Sequence, residues 1–198
     1  MRLGVFGGSF NPPHIAHLIV AEFIRDRYDL ERIIWIPAST PPHKQDEDMP
    51  APHHRLAMVQ AAVAGNPAFD VSDIELRRGG VSFTLDTLED LRRGFGEISQ
   101  LFLIIGSDSY EELGDWHRPE SILKLADLLV YPRGASPILQ QKRFPATLVE
   151  APLITVSGTN IRRRVREGRS TRYLVSESVG RYIEAHGLYR GEENSESH

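Results

Sequence analysis

The chain has 198 residues, a formal net charge of −4 and no cysteine. That length predicts one domain with room for a sizeable core. The missing cysteines exclude disulfides, thiolate nucleophiles, iron–sulfur clusters and zinc–thiolate sites. The acidic balance argues against general nucleic-acid binding, and no apolar run approaches the ~20 residues that span a bilayer. The first residues lack the charged-then-apolar order of a signal peptide, so a soluble, cytoplasmic protein is expected.

Arg2–Phe6 reads as a short buried strand, stopped by Gly7 and Gly8 and followed by the turn residues Pro12 and Pro13. A helix starts at His14, with Ile15, Leu18, Ile19 and Phe23 at the spacing of one apolar face. Arg32–Ile36 is a second buried strand, and a loop rich in proline, histidine and charge runs from Pro37 to about Pro52. Helical spacing returns over His53–Ala64, Phe69–Ile74 reads as a strand, and Leu85–Arg93 as a helix. Leu101–Ile105 is a third clear strand, again followed by glycine, and Asp127–Tyr131 and Leu148–Val149 read as two more. Thr159 is the expected N-cap of a helix stopped at Gly168, and Ser176–His186 a last helix stopped at Gly187. Residues 1–190 are expected to form one unit, with 191–198 a polar, disordered tail.

Strands alternating with helices predict an α/β, doubly wound, Rossmann-like parallel sheet with helices on both faces and C-terminal helices. Ligands of such sheets bind beyond the carboxyl ends of the strands. The loops at Gly7–Gly8 and Gly106 should therefore reach one crevice. In GGSFNPPHIAH the glycines allow a ligand close to the backbone, and the helix start offers free N–H groups to phosphate. His14 and His17, three apart, share a face and can donate to phosphate oxygens. A capping pair and a metal pair are the competing readings, but a metal needs a third ligand, so no metal site is assigned. There is no GxxxxGK[ST], no GxGxxG after the first strand and no GxSxG, which excludes P-loop, dinucleotide-cofactor and nucleophile-elbow chemistry. VSGTNIRRR, with Ser157, Thr159 and Arg162, opens a second helix suited to an anion.

In order along the chain, these segments resemble the bacterial nicotinate-nucleotide adenylyltransferases of the HxGH nucleotidyltransferase superfamily. GGSFNPPHIAH is similar to the family loop GG-[ST]-F-[DN]-P-x-H-x-x-H, with Ala16 in place of the signature glycine. VSGTNIR is similar to IS-[ST]-T-x-IR, with Gly158 as a departure. PPHK, SFTLDTL and the IGSDS…W stretch resemble the pyridine-nucleotide segments, with Phe83 where many relatives carry tyrosine.

The resemblance implies adenylylation of nicotinate mononucleotide by ATP, giving deamido-NAD and pyrophosphate. His14, His17 and Arg162 would be catalytic. Gly7, Gly8, Ser9, Phe10, Gly106, Asp108, Ser157 and Thr159 would complete the ATP site, and Phe83, Thr84, Trp116, Lys44 and Arg133 the pyridine-nucleotide site. Mg²⁺ would ride on the ATP phosphates, and the protein would be a monomer or homodimer. The alternatives are nicotinamide mononucleotide, phosphopantetheine or CTP chemistry, or a non-catalytic nucleotide-binding regulator on the same fold.

Overall fold

A computed structural model describes residues 1–41, 49–96, 99–133 and 144–191. The strands are β1 (Arg2–Gly8), β2 (Arg32–Pro37), β3 (Phe69–Val71), β4 (Gln100–Gly106), β5 (Ala126–Tyr131) and β6 (Thr147–Leu148). The helices are α1 (Ile15–Arg27), α2 (Pro52–Val63), α3 (Ile74–Arg78), α4 (Thr84–Phe95), α5 (Ser107–Glu111), α6 (Pro119–Leu125), α7 (Gly158–Arg166) and α8 (Glu177–Ala185). All strand pairs are parallel, in the order β3-β2-β1-β4-β5-β6. The chain moves outward from β1 through β2 to β3, then returns to place β4 on β1's other side. The carboxyl ends of β1 and β4 thus flank the point where the strand order reverses, which is where such sheets leave a crevice.

Strand side chains alternate between two cores. Leu3, Val5, Ile34, Ile36, Leu101, Leu103 and Ile105 pack with Leu85, Leu88 and Leu91 of α4 on one face. Phe6, Ile33, Trp35, Phe102 and Ile104 pack with Val20, Ala21 and Ile24 of α1 and Val59 and Val63 of α2 on the other. A third cluster, with Met58, Ile161, Val179 and Ile183, seats α7 and α8 against α2. The doubly wound sheet expected from the strand–helix alternation is present, and among the described residues no helix is long and apolar enough to cross a membrane.

Four local readings need correction. The strand expected over Phe69–Ile74 ends at Val71, because Ser72 and Asp73 start α3: the Ser72 hydroxyl accepts the Ile74 N–H at 3.3 Å and Asp73 binds Arg77 at 2.8 Å. The inward face of α1 is Ala16, Val20, Ala21 and Ile24, while Ile19 is exposed. Leu18 and Phe23 pack, partly buried, at the margin of the same core. The N-cap of α7 is Ser157, not Thr159: its hydroxyl accepts the Asn160 N–H at 3.2 Å. The short helices α5 and α6 lie in a stretch for which periodicity had indicated no element. Gly168 and Gly187 do follow their helices with positive φ, as the stop signals required. Lys44 and residues 192–198 lie outside the described residues.

Candidate active site

The strand ends, the start of α1 and the start of α7 surround a crevice of about 640 Å³, within the usual range for a small-molecule site. One end of it, termed the anion end for its His14, His17 and Arg162 side chains, lies at the helix starts. After Gly7 and Gly8, Phe10 takes a left-handed φ of 45°. Its ring turns inward, packing edge-on to Phe6 and His17, at the border of the crevice.

His14 is the N-cap of α1, so it precedes the helix rather than sharing a helical face with His17. The two rings stack, with centroids 3.6 Å apart. The His14 backbone N–H donates to His17 Nδ1 at 3.1 Å. That nitrogen therefore carries no proton, and a neutral His17 ring holds its hydrogen on Nε2. His14 is buried, and burial first, then the nearby Arg133 charge, lowers its pKa to about 4. It is neutral at pH 7. Among the described residues no group of three or more His, Cys, Asp or Glu side chains is placed to hold a metal ion.

α7 closes the anion end. Arg162 Nη1 donates to the Asn11 carbonyl at 2.9 Å, which ties this helix to the glycine loop. Gly158 lies so close that a Cβ there would meet the same carbonyl oxygen at 2.5 Å. The departure from the family's serine or threonine at this position thus has a steric reason in this chain. Ser157, Thr159 and Arg162 all line the crevice.

At the end of β4, Gly106 makes room for a charge pair: a Cβ would lie 2.5 Å from Asp108 Oδ1 and 3.0 Å from Arg133 Cδ. Arg133 and Asp108 meet at 3.3 Å. The Ser107 hydroxyl accepts the Arg133 backbone N–H at 3.0 Å. Arg133 lines the crevice, whereas Asp108 lies behind it as that arginine's partner.

The other end is aromatic. Phe83 is the N-cap of α4 and Thr84 its first residue. The Phe83 ring lies 4.8 Å from that of His117, and half-buried Trp116 lines the same wall. Phe83 and Trp116 lie outside helices and strands, as their segments suggested. The free N–H groups at the start of α4 open beside them.

The lining residues that went unread in the sequence include Glu75, His117 and Tyr131. Glu75 stands on the unread α3 and accepts the Thr87 hydroxyl at 2.7 Å. Adjacency to Trp116 was an available signal for His117. For Tyr131, the signal was its place at the carboxyl end of a parallel strand.

The cytidylyltransferase-like family model matches residues 5–164. A protein from Salinibacter ruber named probable nicotinate-nucleotide adenylyltransferase is 48% identical over 193 residues, covering 96% of this chain and 98% of its own. One of the same name from Thermomicrobium roseum is 44% identical over 197 residues, covering 96% of this chain and 92% of its own. The Plasmodium falciparum nicotinic acid mononucleotide adenylyltransferase complexed with NaAD superposes with a TM-score of 0.80 at 19% identity, over 95% of this chain and 97% of that one. At that identity it speaks for the fold. With the family model spanning most of the sequence and relatives this similar along nearly its whole length, the chain belongs to the cytidylyltransferase-like family, among its nicotinate-nucleotide adenylyltransferases.

Proposed function

We propose that this protein joins nicotinate mononucleotide to the AMP part of ATP, releasing pyrophosphate and forming deamido-NAD, a step of NAD biosynthesis. The observation that carries this reading is one crevice with an anion end and an aromatic end, meeting at the switch point of the sheet. The mononucleotide phosphate oxygen forms a bond to the α-phosphorus of ATP while the bond from that phosphorus to the bridging oxygen breaks, and pyrophosphate leaves. The nucleophile is already anionic, so no general base is required. The obstacle is the repulsion of two anions brought into line, and catalysis is positioning plus charge stabilisation.

In this reading His17 donates from Nε2 to the α-phosphate as charge builds there. His14, kept neutral by burial, holds His17 in that tautomer through its backbone N–H. Arg162 with the start of α7 takes the β- and γ-phosphates, and Gly7, Gly8 and Gly106 let the adenylate approach the strand ends. Arg133 attracts the mononucleotide phosphate. Mg²⁺ would be held mainly by the phosphate oxygens of ATP and would supply charge neutralisation for the pyrophosphate. Asp108 is engaged by Arg133, and among the described residues no group of three or more His, Cys, Asp or Glu side chains gathers to hold such an ion. The pyridine ring lies among Phe83, Trp116 and His117, with its carboxylate toward the N–H groups of α4 and Thr84.

One observation favours nicotinamide mononucleotide instead: the Glu75 carboxylate at the ring end could accept from an amide NH₂. Pyrophosphate release from ATP with nicotinate mononucleotide, nicotinamide mononucleotide and phosphopantetheine tests both. A higher kcat/KM for the nicotinate compound is expected. Equal or better turnover of the amide overturns the substrate assignment, and preferential turnover of phosphopantetheine overturns the reaction.

A further inference from the structure

Arg55 is the only buried arginine side chain among the described residues, 1% exposed on the inner side of α2. Among the described residues no carboxylate hydrogen-bonds it. Its guanidinium instead donates to three backbone carbonyls: Nε to Pro50 at 3.1 Å, Nη1 to Ser9 at 3.0 Å and Nη2 to Ser39 at 2.8 Å. A buried cation is costly unless its hydrogen bonds are met, and burial here lowers its pKa from the usual arginine value. The fork is the feature that answers this cost. A planar guanidinium can serve three acceptors in fixed directions, and an ammonium cannot reproduce that.

The three acceptors belong to different parts of the crevice wall. Ser9 lies in the glycine loop beside the anion end. In a trans peptide the Ser9 carbonyl and the Phe10 N–H point opposite ways, so fixing the first inward fixes the direction of the second. Ser39 lies just beyond β2, and its own N–H donates to the Ser82 hydroxyl at 2.8 Å. The Ser82 N–H in turn donates to the Thr40 carbonyl at 3.0 Å. Ser82 immediately precedes Phe83 and Thr84 at the aromatic end. An unbroken hydrogen-bonded path therefore runs from the glycine loop through Arg55 to the start of α4.

We propose that Arg55 is a positioning residue that sets the distance between the two halves of the crevice, and hence between the attacking phosphate and the α-phosphorus. It touches neither substrate. Its effect falls on the geometry reached when both are bound, where a misplacement of ~1 Å can cost about 10²-fold in rate. The inference rests on the adenylylation reading for its kinetic consequence but not for its structural one.

The test compares Arg55→Lys, Arg55→Met and Ser82→Ala with Met58→Ala, a cavity control at a fully buried position of the same helix. All are assayed well below their melting temperatures. Arg55→Met should lose about 10- to 100-fold in kcat, with the KM of each substrate changing by less than about 3-fold. Arg55→Lys should recover only part of that loss, and Ser82→Ala should lose about 3- to 10-fold with the same split. Met58→Ala should stay near the wild-type kcat. Should Arg55→Met not fold, Arg55→Lys and Ser82→Ala decide the matter. Backbone hydrogen exchange without substrates supplies a readout independent of activity. In Arg55→Lys it should quicken in both the 7–12 and the 80–84 segments, and in Met58→Ala in neither. Exchange changed in only one segment, a kcat loss matched by Met58→Ala, or an effect confined to one KM overturns the proposal. Wild-type protein that turns over none of the mononucleotides overturns the adenylylation reading alone.

Discussion

The two ends of the crevice solve different physical problems. At the anion end the groups are fixed by one another: His14 by stacking and burial, His17 by a backbone donor, Arg162 by a loop carbonyl. At the aromatic end, Phe83, Trp116 and His117 present surface, and His117 is exposed. Donors aimed at a charge act through their direction, so a few fixed groups would suffice for a phosphate. A flat ring is held by area, to which several side chains contribute and none is indispensable. Single changes should therefore act steeply at the first end and gently at the second.

The steepest expected effect is at His17. His17→Ala should lower kcat by ~10²–10³, more than it weakens ATP binding, as loss of one transition-state donor does. Steady-state pyrophosphate release measures it, and a near-normal kcat would remove His17 from the chemistry. Next comes His14, through stability. Its folded pKa, about 4, lies below the ordinary value of 6.5, so the unfolded chain takes up a proton first as pH falls. Its contribution is complete above about pH 6.5 and is lost as pH drops toward 4, to a total of about 3 kcal/mol. Denaturant unfolding between pH 7 and pH 4 should show a steeper loss of stability in the wild type than in His14→Asn, the remaining slope coming from groups such as His54 and Glu22, whose pKa values are also lowered. Equal slopes would mean that His14 is not held neutral.

Arg162→Lys should cost about 10- to 100-fold in kcat/KM, the scale of a charged hydrogen bond lost in a fixed geometry. Arg163→Lys, at an exposed position, should change it by less than about 2-fold. Similar losses in both would dissolve the distinction between the site arginine and the solvated face. The gentlest effect is expected at Trp116. Trp116→Ala should raise the mononucleotide KM by about 3- to 10-fold, on the order of one aromatic contact, and leave the ATP KM unchanged. A drop in kcat as steep as that of His17→Ala would break the contrast between the two ends.

This contrast also governed what could be read from the residues. Gly7, Gly8, His14, His17 and Arg162 stand within or beside sharp backbone signals, a strand end or a helix start, and those signals are local. The sheet was legible for the same reason, since RLGVF, RIIWI and LFLII are buried runs closed by turn residues. Glu75 and Arg55 were not legible. Glu75 stands on a five-residue helix too short to show a period. Arg55 sits where an ordinary amphipathic helix could carry a solvated arginine. Only the packing of Ser9, Ser39 and Pro50 around it turns that charge inward. Phe10 was read as part of the adenylate cradle. Its ring is packed in the core at the border of the crevice, because tertiary packing decides which way a left-handed residue faces.

The tie between Arg162 and the Asn11 carbonyl joins residues 151 positions apart, and the Ile15 N–H at the start of α1 donates to the Leu174 carbonyl at 2.9 Å. The first loop of the chain thus acquires its final shape from nearly the last. During synthesis the glycine loop leaves the ribosome long before its partners exist, and contacts this distant in sequence form late. A chain cut after β6 retains all six strands yet lacks the clasp on its own first loop. Competence for the triphosphate should then arrive as the closing event of folding, after the sheet has formed.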